Sequence, residues 1–151
     1  MNGINVRKAI AAEASRIADF NRKMALETEG LALNETTVMA GVVALMGHPE
    51  HGFYLVAEMD GTMVGCIKVG YEWTAWRNGT FWWIGSCYVR PEYRGRGVYA
   101  ALYETLQRMA AIEGNVRGFR LYAHKDNAQT HDVFRGLGMS NKDFVVFEDM
   151  L

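Results

Sequence analysis

The chain has 151 residues, half of them apolar and 22% charged, which is ordinary globular composition and enough to bury a core in one domain. Its formal charge of −1 excludes an overall basic field towards nucleic acid or an anionic membrane, so any phosphate recognition has to be local. Charges run through the opening stretch MNGINVRKAIAAEASRIADF, which therefore does not read as a signal peptide, and no run reaches the ~18 apolar residues of a membrane helix; a cytoplasmic protein without a membrane partner is expected.

Ile4 to Ala9 alternates and predicts a short strand. Ile17, Phe20 and Met24 recur at helical spacing between Ala11 and Leu26, a first helix that the Gly30 region ends. Asn34 can cap a second helix carrying Val38, Val42, Val43 and Met46 on one face, which stops at Gly47-His48-Pro49. FYLVAEM (Phe53–Met59) and TMVGCIKVGYEW (Thr62–Trp73) read as a hairpin around Asp60-Gly61. Asn78-Gly79 signals another turn into FWWIGSCYV (Phe81–Val89), apolar on both alternating faces and so expected at the centre of a sheet. A glycine–arginine loop leads to a helix over Val98–Glu113, then to the strand GFRLYAH (Gly118–His124). Asp126-Asn127 can cap a helix to Leu137, with Gly138 as its stop, and FVVFE (Phe144–Glu148) predicts a closing strand. The order β-α-α-β-β-β-α-β-α-β predicts an α/β (mixed α+β) fold, one domain over 1–151, with a mixed sheet and helices on both faces.

The loop carries the chemistry. A helix start leaves backbone N–H groups unpaired and partly positive, and glycines let such a backbone approach a ligand. Arg94, Gly95, Arg96, Gly97, Val98 and Tyr99 therefore suit a pyrophosphate, with Arg94 and Arg96 able to add charge-assisted bonds. A tight solvated turn is the plainer reading. No Gly-Lys-Ser/Thr is present, which excludes a P-loop. Gly95, Gly97 and Ala100 satisfy G-x-G-x-x-A, but only about 50 residues follow and the next strand ends in Tyr-Ala-His instead of an acid, against a dinucleotide fold. Arg90, Tyr93, Arg94, Arg96 and Tyr99 alternate basic and aromatic character, yet they occupy one loop of a slightly acidic chain, so no nucleic-acid partner is expected. Cys66 and Cys87 lie in apolar strands and read as buried free thiols. His48, His51 and His131 suggest no metal site.

VRPEYRGRGV (Val89–Val98) resembles the acetyl-CoA loop of the GNAT acyltransferases, V-x-P-x-x-[RQ]-x-x-G-x-[GA], and DNAQTHDVFRGLGM (Asp126–Met139) is similar to that family's N-x-x-A-x-x-x-Y-x-x-L-G-F. The resemblance runs the length of the chain and, with EWTAWRNG before FWWIGSCYV, is greatest to a bacterial subgroup of unassigned substrate. It implies a mostly antiparallel mixed sheet splayed at its middle strands, acetyl-CoA as co-substrate, and no metal. It also implies that the amides of Arg94 to Tyr99 bind the diphosphate, that Cys87, Tyr88 and Val89 line the pantetheine arm, and that Asn127 lies near that arm. Tyr99 departs from the family's Gly or Ala, so either its side chain turns away from the diphosphate or the helix start shifts slightly.

Transfer of an acetyl group to a primary amine by direct attack, in a ternary complex, is the activity so implied. It needs a neutral amine, donors for the oxyanion and an acid for the thiolate. The family's tyrosine acid is matched by Phe134 and its acidic base by Gly85 and Ser86. Tyr88, Ser86, Glu72 and His124 remain as candidates for proton transfer through water. The alternative is a module that binds or senses acyl-CoA with little turnover. The acceptor is expected to be a small cationic amine between the helix 1–helix 2 connection and the Tyr71–Phe81 hairpin. Glu27, Glu29 and Glu72 would attract it, and Trp73, Trp76 and Trp82 would wall it. Each has a plainer reading: solvated glutamates, core or dimer tryptophans, a structural His124. The aromatic hairpin makes a homodimer plausible.

Overall fold

The sheet grows outward from the turn at Asp60 and Gly61, whose φ angles are 51° and 74°. Two successive left-handed residues match the twist of the strands they join, so Met59 of β2 (Gly52–Met59) lies opposite Thr62 of β3 (Thr62–Thr74). The protein is described over residues 3–151 of a computed structural model. A loop over 75–78 ends with Asn78 at φ 47° and returns β3 into β4 (Gly79–Val89). Gly79 opens β4 because a Cβ there would meet the Arg117 side chain at 2.5 Å and the Asn115 carbonyl at 2.6 Å.

β1 (Ile4–Lys8) pairs antiparallel with β2 at one edge, and β5 (Val116–Arg120) pairs parallel with β4 at the other, giving the order β1-β2-β3-β4-β5. A parallel neighbour requires a crossover, here α3 (Val98–Glu113). Alternation along the strands separates the faces. Under α1 (Ala14–Glu29) and α2 (Glu35–Gly47), Ile17, Phe20 and Val42 pack with Tyr54, Val56, Cys66 and Tyr88. On the opposite face Tyr103 of α3 meets Phe119 with ring centroids 5.4 Å apart, and Phe119 meets Trp82 at 6.1 Å. Asn34 caps α2 as expected, its Oδ1 accepting from Thr37 N at 2.9 Å.

The chain divides into two compact units, one running to Leu121 and one spanning Tyr122–Leu151. The second contains α4 (Ala128–Gly136), capped by Asn127 Oδ1, which accepts from Thr130 N at 3.2 Å. Two expectations are corrected. The strand placed at Gly118–His124 lies at Val116–Arg120, and the closing strand at Phe144–Glu148 does not form. Pairing, and not apolarity alone, makes a strand, and the second unit has no strand for FVVFE to join. Among the described residues no helix is long and apolar enough to cross a membrane.

Candidate active site

The end of β4 is fastened by Arg90 N donating to Val64 O at 2.8 Å, after which Pro91–Tyr93 makes one tight helical turn. Gly95 and Gly97 then take φ of 73° and 85°, angles that carry a steric penalty for any other L-residue, and Gly97 starts α3 without a side-chain cap. A Cβ on either glycine would meet nothing within 4 Å, so the outer side of the turn is open. Underneath, a Cβ at Gly65 would meet the Tyr88 carbonyl at 2.8 Å and Val98 Cγ1 at 3.2 Å. That glycine in β3 lets the helix start sit down on the sheet.

The loop arginines divide their work. Arg94 is engaged inward: its Nη2 donates to Glu27 Oε2 at 2.7 Å and its Nε to the Val89 carbonyl at 2.8 Å. Arg90 pairs with Glu92 at 2.7 Å. Arg96 is exposed and lies over the Tyr93 ring, 5.2 Å from its centroid. The Tyr99 side chain is half-buried. Burial, reinforced by the neighbouring Cys87, pushes its hydroxyl well above the ordinary tyrosine range, with Arg94 opposing.

The pairing of β4 with β5 ends at Trp83–Arg120, although β4 continues to Val89. Over the same stretch its register with β3 slips: Cys66 faces Tyr88, but Lys68 faces Gly85, so Ser86 and Cys87 together span the place of Ile67. Ser86 takes φ 47°, a left-handed conformation rare outside glycine. The sheet therefore carries a bulge and a one-sided gap at the same place. Desolvation raises both thiols, Cys66 to about 12 and Cys87 well above its ordinary value; Cys66 is buried as expected, whereas Cys87 is half-buried.

The remaining site candidates scatter. Tyr88 is buried against Phe20, with ring centroids 5.0 Å apart, and its hydroxyl donates to Glu27 Oε1 at 3.4 Å. Burial first, then the Glu27 charge, raises the Tyr88 hydroxyl above its ordinary value. Glu72 accepts from Trp83 Nε1 at 2.6 Å and from Arg120 at 3.2 Å. Trp82 is 4% exposed and belongs to the aromatic cluster with Phe53 and Phe119, on the face opposite Glu72, whereas Trp73 and Trp76 are exposed. Asn127, His124 and Phe134 belong to the second unit. His124 Nδ1 accepts from Asp126 N at 3.3 Å, and Phe134 is 6% exposed and offers no acidic proton.

A cavity of about 420 Å³ lies between α1, α2 and the sheet. Glu29, Ser86, Tyr54, Asn21 and Lys68 are among its walls. Asn21 and Lys68 were not legible as site residues from spacing, although Lys68 is the one charged residue between Thr62 and Tyr71. At the exposed turn after α2 the ligand atoms of His48, Glu50 and His51 lie within 4.8 Å of one another, a grouping not anticipated from the sequence, with His48 bonded to Glu50 at 2.9 Å.

Residues 18–139 match the model of the Acetyltransferase (GNAT) family. A possible acetyltransferase from Clostridium difficile 630 has the same fold with a TM-score of 0.90 and 34% identity, over 98% of this chain and 97% of that one. A predicted acetyltransferase from Clostridium acetobutylicum, crystallised with acetyl-CoA, superposes with a TM-score of 0.78 at 18% identity, over 97% of this chain and 96% of that one. An acetyltransferase of Yersinia pestis (strain Pestoides F) is 29% identical over 93 residues, 62% of this chain and 61% of that protein.

Proposed function

Because the chain belongs to the GNAT acetyltransferase family, we propose that it transfers the acetyl group of acetyl-CoA to a primary amine. One observation supports this most: a glycine turn with an open outer side begins α3 directly after a strand whose end has no partner on the β5 side. Such a turn offers first-turn amides to a diphosphate, and the unpaired strand edge offers main-chain groups to an amide-bearing arm. Cys87, Tyr88 and Val89 supply that edge. Arg96 is the side chain on the loop's exposed side, while Arg94, already bonded to Glu27 and Val89, holds the loop in shape.

Acetyl-CoA brings the acyl group as a thioester, which a neutral amine attacks at carbon, forming the amide and releasing CoA thiol. The acceptor enters the cavity under α1 and α2, and the bulge at Ser86 and Cys87 forms the sheet side of the reacting region. Tyr88 is the proton donor of choice: its hydroxyl stays protonated over the working pH range and is oriented by Glu27. Ser86 and rim water complete the path for the amine proton. Glu72 is already engaged by Arg120 and Trp83 and takes no part in the proton path.

Calorimetry with CoA, together with thiol release from acetyl-CoA over a panel of amines, tests this. Heat of CoA binding with acceptor-dependent release supports transfer. Binding without release under any amine favours the sensing module, and no binding removes the reading.

A further inference from the structure

We infer that the acceptor carries a carboxylate and an apolar body beside its amine, the chemistry of a hydrophobic amino acid, held by Lys68 and Asn21. The inference rests on the acyl-transfer reading for what happens to the amine, but not for what the cavity binds.

Lys68 projects from β3 onto the face covered by α1 and α2, with Tyr54 opposite it on β2 and Gly85 opposite it on β4. A Cβ at Gly85 would lie 3.1 Å from Lys68 Cε and 3.6 Å from Nζ. The lysine therefore lies across the glycine, its ammonium beside the residue that precedes the Ser86 bulge. Among the described residues Lys68 enters no ion pair, although it is half-buried and lines a cavity. The nearby acids are otherwise placed: Glu27 is bound to Arg94 and Tyr88, Glu72 to Arg120, and Glu29 is exposed at the rim. A half-buried cation on a cavity wall without a counter-ion is a place where a ligand carboxylate can form a charge-assisted pair.

Asn21 is the independent observation. It is 8% exposed and lines the same cavity; its Nδ2 donates to Tyr54 Oη at 3.4 Å, and its Oδ1, buried in the cavity wall, has no hydrogen-bond partner. A buried amide oxygen left over in a pocket is an acceptor for a ligand N–H. The opposite wall is apolar, formed by Met24, Leu31, Leu33, Val42 and Leu45. One cation, one acceptor oxygen and an aliphatic wall suit a molecule with an anion, an N–H and a hydrophobic side chain. A purely cationic amine would instead meet the Lys68 charge, so the expectation of a small cationic acceptor gives way.

The test uses matched pairs that differ only by the carboxylate: leucine against isoamylamine, and phenylalanine against phenethylamine. Thiol release from acetyl-CoA is measured for each, and the products N-acetylleucine and N-isoamylacetamide are titrated calorimetrically into CoA-loaded protein. The amino acids are expected to exceed the decarboxylated amines in kcat/KM by on the order of tenfold or more. Lys68→Met should remove that preference through KM, Lys68→Arg should keep most of it, and both should unfold near the wild-type temperature. N-Acetylleucine binding that depends on Lys68, without any turnover, supports the pocket assignment while sinking acyl transfer. Equal or better use of the decarboxylated amines, or product binding indifferent to Lys68→Met, overturns the inference and leaves acyl transfer standing.

Discussion

The guanidinium of Arg94 closes on Glu27, 2.7 Å from Nη2 to Oε2, across 67 positions of sequence, and its Nε meets the Val89 carbonyl at 2.8 Å. An arginine of the glycine turn is thereby used to tie the end of α1 to the start of the loop. Arg94→Ala should lower the unfolding temperature, consistent with about 1 kcal/mol for a half-exposed pair. It should leave the salt dependence of CoA affinity unchanged. Arg96→Ala should do the reverse, weakening CoA binding and flattening its salt dependence, because a solvent-facing cation acts through screened charge. Calorimetry at low and high salt on the two variants decides between them.

Gly65 is where fold and site meet. Its missing Cβ leaves room for the Tyr88 carbonyl and for Val98, the first residue of α3. Gly65→Ala should destabilise by about 1–3 kcal/mol, the usual range for overpacking. It should also weaken CoA binding by lifting the helix start. Denaturant midpoints together with CoA titration read both effects, and a variant with unchanged affinity would detach the loop from its seat.

Removal of the Tyr88 hydroxyl isolates the proton donor. Tyr88→Phe keeps the ring against Phe20 and should lower kcat by roughly 10²-fold, with CoA affinity retained. Since burial raises the Tyr88 hydroxyl, the wild-type rate should show no decline attributable to its ionisation below the ordinary tyrosine value of about 10. A pH–rate profile of both proteins provides the measurement.

Arg7 gives an acid-stability prediction far from the site. It donates to Glu13 at 2.7 Å and also binds Glu58, and its hydrogen bond to Glu13 holds that carboxyl below the usual glutamate range. A folded-state value below the unfolded one stabilises the protein above the unfolded value, near ~4.3, and that gain disappears as pH falls through the folded value. Unfolding temperatures of wild type and Glu13→Gln should therefore differ at neutral pH and converge on acidification below about 4.

The hairpin, the caps at Asn34 and Asn127 and the extent of α3 could be read from the chain because each is decided by neighbouring residues. Turn chemistry fixed Asp60-Gly61, and helical spacing after the glycine–arginine loop bounded the helix. The glycine loop was legible for the same reason. What depends on distant partners was not: FVVFE is strand-like in isolation but its unit contains no strand, and Trp82 looked available until Phe53 and Phe119 enclosed it. Glu27 and Glu72 read as free acids only because Arg94 and Arg120 lie 67 and 48 positions away. Lys68 and Asn21 became meaningful only when α1 was laid over β3.

The early stop of the pairing at Trp83 and Arg120 also bears on handling. Beyond it, one rim of β4 has no β5 residue paired to it, and an unpaired strand rim is the form that recruits foreign strands and seeds clumping. A pantetheine-like arm, rich in amides, would blunt that rim as a substitute strand. Shelf life and solubility should then follow the concentration of CoA in the buffer, with protein stripped of nucleotide scattering light soonest.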